Sequence, residues 1–596
     1  MPDNLIPVPP PGDLVTFTIF IEGGKIDPKY KIASVLVQKE LNRIPTAKVI
    51  ILDGDAAKEK FEVSDKDDFI PGKKIKIQVG YNSKEKTIFE GIIVKHSAKV
   101  RGSGSTSLSI ECKDIAVKAT IGRKNKYFYE QKDSDIIKKI LGEHGLSVTC
   151  DATPVTHKEI VQYHSSDWDF VLTRAELNGL LVMVDDGKVE IKKPDFGQSP
   201  VVKPKFGATI LEFDGEIDAR WQYKKVKSSA WSHKDHKIIT ANGSAEAPSQ
   251  GNITPAKLAE VASPAEFEIR HTGALTKDEL KAWADAQLLK SRIAKIRGRV
   301  RFQGFADVKP AKVIEILGVS NRFNGKAFVG GVSHEIGEGN WLTDVQFGVS
   351  PEWFMQQQPF VSEQASSNII PAINGLQVGI VVDLEDPDGE DRIQVRLPIL
   401  DEGAKGMWMR VACVDAGKKR GTVFRPEKDD EVVVGFFNND PRHGVILGQL
   451  HSSKHGSPIK GSNKNHDKGY HSRSDMQMLF NDEKKIMTFS TPAGNKIVIS
   501  EDNKSITIQD QNGNKMVMDP SGIVIESPGD ITIKAKKNIK TESTMNTEIK
   551  ASMNGKMEAS MNLEAKAGIQ MKVEGAMTEV KASGITTVKG SLVQIN

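Results

Sequence analysis

Five histidines, His443, His451, His455, His466 and His471, fall close together in the chain, and His451-x3-His455 has the spacing of a metal-ligand pair. A closed metal site needs further ligands in an apolar frame. No cysteine and no apolar run accompanies these histidines, so they read as a solvated connector. Asp386, Asp388, Glu390 and Asp391 could gather oxygens around Ca²⁺, but their spacing does not match an EF-hand loop and suits an acidic hairpin tip. His164 with Asp167 and Asp169 could be drawn as a proton-transfer group. Both acids, however, stand where a helix begins and already complement its dipole. Gly102-Ser103-Gly104-Ser105 is a flexible turn without the lysine that a phosphate loop needs. No G-x-S-x-G, Walker loop or H-E-x-x-H is present. The expectation is a chain with no catalytic residue, no metal site and no cofactor.

Composition narrows the class further. Lys and Arg number 82 and Asp and Glu 78 in 596 residues, so the net charge of +4 creates no strong field for nucleic acid or an anionic membrane. No apolar run approaches the roughly 20 residues of a membrane helix. Met1 to Leu14 is Pro-rich and acidic, unlike a secretory leader. Cys112, Cys150 and Cys413 are odd in number and far apart, which excludes a disulfide framework. Synthesis and assembly in a reducing cytoplasm are expected, with export left to another machine.

The elements that carry these residues divide the chain into unequal parts. Residues 1–360 hold most of the aromatics and read as strands with a few punctuated helices, an α+β part. Strands are expected over 15–20, 75–79 and 88–94. The spacing predicts a helix over 135–144. A second begins at the capping pair Ser166-x-x-Asp169 and stops at Asn178-Gly179, and a hairpin follows over 181–191 around Asp185-Asp186-Gly187. A third opens on Thr276-x-x-Glu279, buries Leu280, Trp283, Leu288 and Ile293, and stops at Gly298. Residues 361–375 are a polar linker, 376–451 a compact β block, and 452–489 a polar connector.

Residues 490–596 contain no Phe, Trp, Tyr or Cys, yet hold 8 of the 16 methionines, so they cannot build an ordinary globular core. From Met545 to Met577 the odd positions are apolar or small except Thr547, and from Asn546 to Glu574 the even positions are polar except Gly568. Period-two alternation puts the apolar side chains on one face of an extended chain. Met545, Met553, Met561, Ile569, Met577, Ile585 and Val593 also recur every eight residues. Coiled coils repeat at 7 or 11, so an octad argues for strands and bends. One such strand has no partner along its own chain. Wrapping around identical chains closes its edges and makes a shared core. The expectation is a trimeric β-prism with those seven residues on its axis and Leu592, Val593 and Ile595 exposed on its last turn.

The block at 376–451 has five apolar stretches, 378–384, 393–397, 407–411, 432–437 and 445–450, in the layout of an OB-fold. Nucleic-acid binding would need a basic groove with stacking aromatics. Residues 371–450 instead carry ten Lys/Arg against fourteen Asp/Glu and few aromatics. Val378-Gly379-Ile380-Val381, Trp408-Met409-Arg410-Val411, Asn439-Asp440-Pro441 and Gly448-Gln449-Leu450 resemble the OB domain of VgrG spike proteins and contractile-phage central spikes. His164-Ser165-Ser166-Asp167-Trp168-Asp169-Phe170, with Arg174, Glu176, Gly179 and Leu180, is similar to a motif of the baseplate-hub half of VgrG proteins.

The resemblance implies a mainly β homotrimeric spike. Its hub of two β-barrel-type domains (1–360) would meet the inner tube and baseplate proteins, and its triple-stranded β-helix would be the puncturing needle. It also implies a PAAR-type tip protein on Leu592, Val593 and Ile595, possible effector cargo, and release from the cell as part of the injection particle. Only polar residues stand where some phage spikes carry a lysozyme domain, and the sequence stops within the octad, so neither a lysozyme nor a trailing effector domain is expected. The competing classes are a glycan- or peptidoglycan-degrading tail enzyme and an OB-type nucleic-acid binder. Neither requires a phased octad.

Overall fold

Where apolar residues alternate and turns supply Asn, Asp or Gly, the chain forms hairpins. The computed structural model describes residues 14–595 apart from 103–105, 233, 263, 265, 274, 359–365 and 367–370, so Gly102-Ser103-Gly104-Ser105 lies mostly outside the described residues. The chain divides into two units, residues 1–450 and 451–596.

In the first unit, Val15–Ile21, Lys74–Tyr81 and Lys84–Lys99 form the strands expected near 15–20, 75–79 and 88–94. They belong to one 12-stranded sheet. Its path begins at Ile210–Ile217 and passes through Ile296–Gln303, Asn340–Phe347 and Gly325–Gly337 before it reaches Lys31–Glu40 and Thr46–Leu52. The join between Gly325–Gly337 and Lys31–Glu40 is antiparallel, with Ile336 opposite Val35. Where two barrel-type parts were expected in 1–360, one sheet runs through both, with one core around Ile77, Phe89 and Ile110 and another around Phe302, Ile314 and Phe347. Cys112 is buried in the first, and burial pushes its thiol up to about 12.

Four helices matter for positioning: α1 (Asp133–Gly142), α2 (Asp167–Leu177), α3 (Pro255–Ala262) and α4 (Lys277–Ile293). Ser166 caps α2 by accepting the Asp169 N–H at 3.1 Å. Thr276 and Glu279 make the reciprocal capping box of α4, which ends at Ala294; Gly298 lies in the following strand. The Ile and Leu face of α1 packs on Phe170, Val171 and Ala175 of α2 in a third core. The hairpin Leu181–Asp185/Lys188–Lys192 turns on Asp186 and Gly187, both with positive φ, as a two-residue turn demands.

Five strands close a small barrel: Gln377–Asp383, Ile393–Arg396, Met407–Val411, Gly444–Gln449 and Glu431–Phe436. They fall on the five apolar stretches read from the sequence. Closure comes from the parallel pairing of Val411 with Ile446 and the antiparallel pairing of Val378 with Val433.

The second unit holds two kinds of structure. Seven strands from Asp467–His471 to Gly522–Glu526 form an antiparallel meander in sequence order. The sheet thus begins within the stretch expected to be a connector (452–489), and residues 490–526 pair with their own chain, contrary to the expectation of an unpaired strand. Tight turns explain this: Asp510 accepts the N–H groups of Asn512 and Asn514, each at 2.9 Å, and folds Ser505–Gln509 back onto Lys515–Asp519. Residues 527–595 follow without strand pairing inside the chain.

Candidate functional site

The side chains singled out for chemistry are held in structural ion pairs. Asp167 is buried and receives His144 Nε2 at 2.7 Å, Gln162 Nε2 at 2.9 Å and Lys124 Nζ. Burial works to raise its pKa, but the hydrogen bonds from Lys124, Gln162 and His144 outweigh it and lower it. His164 does not meet Asp167. A bulge between Gln162 and Ser165 turns it away, with φ at +40°, and its N–H donates to Asn125 Oδ1 at 2.7 Å. The partner is His144 from the turn after α1. A histidine at a helix C-terminus was the available signal, and proximity in sequence pointed to the wrong residue.

A second buried group ties α1, α2 and α4 together. Asp133 accepts from Arg174 Nε at 2.6 Å, Asn178 Nδ2 at 2.8 Å and His157 Nε2 at 3.1 Å. His157 Nδ1 lies 3.2 Å from Glu279 in the capping box of α4. The hydrogen bonds to Asp133 and Glu279 push His157 up to about 9. Burial opposes ionisation of Asp133, yet His157 and Arg174 bring it down to about 2, and the His157 bond brings Glu279 to about 2. This cluster holds three helices in place, and all its polar groups face one another.

The acidic tip at 386–391 contains its own cation. Asp386 accepts the N–H groups of Asp388, Glu390 and Arg392, and the Arg392 guanidinium closes on Asp386 at 2.8 Å and also on Asp388 and Glu390. Arg392 holds the Asp386 carboxyl well below the usual range. Asp391 pairs with Arg425 instead. Among the histidines, His466 lies 3.9 Å from Glu483 and His471 3.6 Å from Asp475. Among the described residues no three His, Cys, Asp or Glu side chains converge as metal ligands.

What remains exposed is apolar surface in the second unit. On one face of the meander, Phe489 opposes Ile497, Ile497 opposes Ile508, and Ile508 opposes Met516; Met487, Ile499, Ile506 and Met518 make a second column beside them. Phe489, Ile497, Ile499 and Ile508 stay exposed in the isolated chain.

Beyond the meander the backbone bends at 528–529, 536–537, 544–545, 552–553, 560–561, 568–569 and 576–577, a step of eight residues each time. Met545, Met553, Met561, Ile569 and Met577 are each the second residue of a bend. The next bends are at 583–584 and 591–592, so one step is seven residues. Ile585 and Val593 therefore do not hold the place in the repeat that Met545 to Met577 hold. The sequence changes near the same point: after Met577 the small and apolar residues Val580, Ala582, Gly584, Val588, Gly590 and Leu592 are even-numbered, while Ile585, Val593 and Ile595 stay odd-numbered. A one-residue shortening of a strand moves the opposite set of side chains to a given face. From Met545 to Ile585 the octad residues are 88–103% exposed in the isolated chain, and Leu592, Val593 and Ile595 are 83, 49 and 90% exposed. Apolar surface of this extent marks an interface.

Three families match in succession: the Alg8 N-terminal domain over residues 11–338, the type VI secretion system/phage-baseplate injector OB domain over 377–451, and the phage baseplate V C-terminal trimerisation domain over 486–544. The type VI secretion system spike protein VgrG1b of Pseudomonas aeruginosa is 23% identical over 372 residues, 56% of this chain and 48% of that protein. The chain thus matches about half the length of that relative. The 43 kDa tail protein of prophage MuSo2 from Shewanella oneidensis is 11% identical, with a TM-score of 0.42 over 56% of this chain and 98% of that one. The E. coli c3393 protein, a type VI secretion component, is 11% identical with a TM-score of 0.36 over 72% of this chain and 99% of that one. The Alg8 N-terminal domain match covers more than half of the chain, so the chain belongs to that family; the injector OB domain and the trimerisation domain that follow it, together with VgrG1b, make the chain similar to VgrG-type spike proteins.

Proposed function

We propose that this chain is the structural spike of a contractile injection apparatus, assembled as a homotrimer. Its first unit would join the inner tube and baseplate proteins, and its second would form the puncturing needle. The observation that carries the reading is the bend repeated every eight residues along a segment whose apolar side chains have nothing to cover them in one chain. Two further copies cover them if each extended stretch lies on one face of a three-sided prism and each bend carries the chain to the next face. The trimerisation-domain match over 486–544 supports the same assembly.

The action is mechanical. Contraction advances the tube, and a stiff, narrow body concentrates force on a small area of target membrane. Stiffness comes from hydrogen bonds between strands of all three chains, and no catalytic group takes part. Leu592, Val593 and Ile595 are the proposed seat of a PAAR-type tip protein, and effector cargo would ride on the same body. No helix among the described residues is long and apolar enough to cross a membrane. Synthesis and assembly in the cytoplasm, followed by release with the particle, fit this role. Analytical ultracentrifugation of the full chain at micromolar concentration should give a single species at three times 65.4 kDa. A folded monomer would reject the needle.

A further inference from the structure

The outward face of the octad segment carries a charge pattern that intrachain contacts do not require. Five residues before the second residue of each bend from 544–545 to 583–584 stand, in successive repeats, Lys540, Glu548, Lys556, Glu564, Lys572 and Glu579. Three residues before it stand Glu542, Lys550, Glu558, Lys566, Glu574 and Lys581. Both columns change sign at each step among these six repeats, including the seven-residue step; at the last bend the two places hold Thr587 and Lys589, so the alternation ends there.

Within one chain the two columns pair with each other: Lys540 with Glu542 at 3.0 Å, Lys550 with Glu548 at 2.7 Å, Lys581 with Glu579 at 3.6 Å, and likewise Lys556 with Glu558 and Lys572 with Glu574. These pairs need one Lys and one Glu per repeat. They would be equally satisfied if every repeat read Lys then Glu. The reversal at each repeat has to be explained by something outside the chain.

Geometry supplies the explanation, given the trimeric reading above, on which this inference rests. If each bend carries a chain to the next face of a three-sided prism, the strand stacked directly above repeat n of one chain is repeat n+1 of another. All strands on a face then run parallel, and residue i lies beside residue i+8 of its neighbour. A constant Lys-then-Glu order would set Lys against Lys and Glu against Glu up every face, and like charges directly across strands are destabilising. Alternation sets Lys against Glu at every level in both columns. Were the copies stacked without offset, residue i beside residue i, the same alternation would put like charges together. The geometry points to a specific interchain contact: the strand of a second copy, displaced by one octad, read by two alternating Lys/Glu columns on the outer face. These columns are register-setting residues, and the seven-residue step preserves them because Glu579 and Lys581 keep their place relative to the bend that follows.

The test uses the full chain and two variants. K556E/E558K keeps the pair inside its own repeat but puts like charges against the repeats above and below. The second variant inverts all twelve positions, which preserves alternation throughout. At about 0.01 M salt the first variant should melt several degrees below wild type, and the gap should close near 1 M salt, where the screening length is about 3 Å. The full inversion should melt like wild type at both concentrations. If the wild type is a trimer and K556E/E558K melts with it at low salt, the one-octad offset is wrong. Equal loss in both variants would also overturn it, because the effect would then lie inside the repeat. A wild type that sediments as a monomer would instead reject the trimeric reading itself.

Discussion

Arg174 reaches from α2 to a carboxylate on α1 that almost no water touches, and His157 carries the same contact on to α4. Removing one partner of a buried pair leaves an uncompensated charge, which costs about 3–5 kcal/mol. Arg174→Ala should therefore lower the first unit's stability by about that amount, read by denaturant unfolding, while Arg220→Ala, which removes a guanidinium that lies in water, should leave it almost unchanged. The pH dependence follows from the same cluster. His157 is raised above its ordinary value, so its contribution is complete below about pH 6.5 and fades as pH climbs through about 9. Asp133 and Glu279 are lowered, so theirs hold above about pH 4.5 and fade as pH falls through about 2. The melting temperature of the first unit should drop between about pH 6.5 and 9, and His157→Gln should flatten that limb. In the barrel, a Cβ on Gly379 would meet Val395 Cγ1 at 2.4 Å and Val434 Cγ2 at 3.1 Å. Gly379→Ala should cost about 1–3 kcal/mol by overpacking. Sequence marked Arg174, Asp167 and Gly379 as members of motifs, but not what they touch. The bulge that turns His164 away from Asp167 is announced by no local pattern.

At the scale of elements, legibility followed the range of the signal. Caps at Ser166 and Thr276, the Asp186-Gly187 turn and all five barrel strands were readable because each is decided by neighbours a few residues away. The meander was misjudged because its strands recur at nearly the spacing of the octad, while its Asx-type turns decide for self-pairing. The shortened step after Met577 was hidden because Ile585 and Val593 keep the count of eight although the apolar parity has changed. This gives a test within one element. Met561→Asp and Val588→Asp would each bring three carboxylates into a narrow apolar column, where unpaired charge is costly. Both should lower the melting temperature of the trimer by ten degrees or more, on the order of several kcal/mol. Asn554→Ala and Ile585→Asp should change it little. If Ile585→Asp proves as damaging as Val588→Asp, the repeat continues in phase and the shortened step has no consequence for the core.

For the whole molecule, the two halves of the second unit make different demands on a partner chain. The meander already satisfies its backbone within one chain, and copies are needed only to cover its apolar face. The octad segment has neither strand partners nor a core within its own chain, so in the proposed trimer it draws both from the other chains. Backbone groups left in water cost little, whereas an apolar face is covered wherever a partner is held nearby, which makes the meander the natural place for three chains to register first. Removing residues 545–596 should then leave a trimer by ultracentrifugation, because Phe489, Ile497, Ile508 and their neighbours remain. Removing 467–596 should leave a folded monomer with its barrel and hub cores intact. In thermal unfolding the shorter trimer should also melt at lower temperature as protein concentration falls, since assembly and folding are linked by mass action. A monomer after loss of 545–596 would put the trimerising energy in the octads instead and reverse this order of assembly.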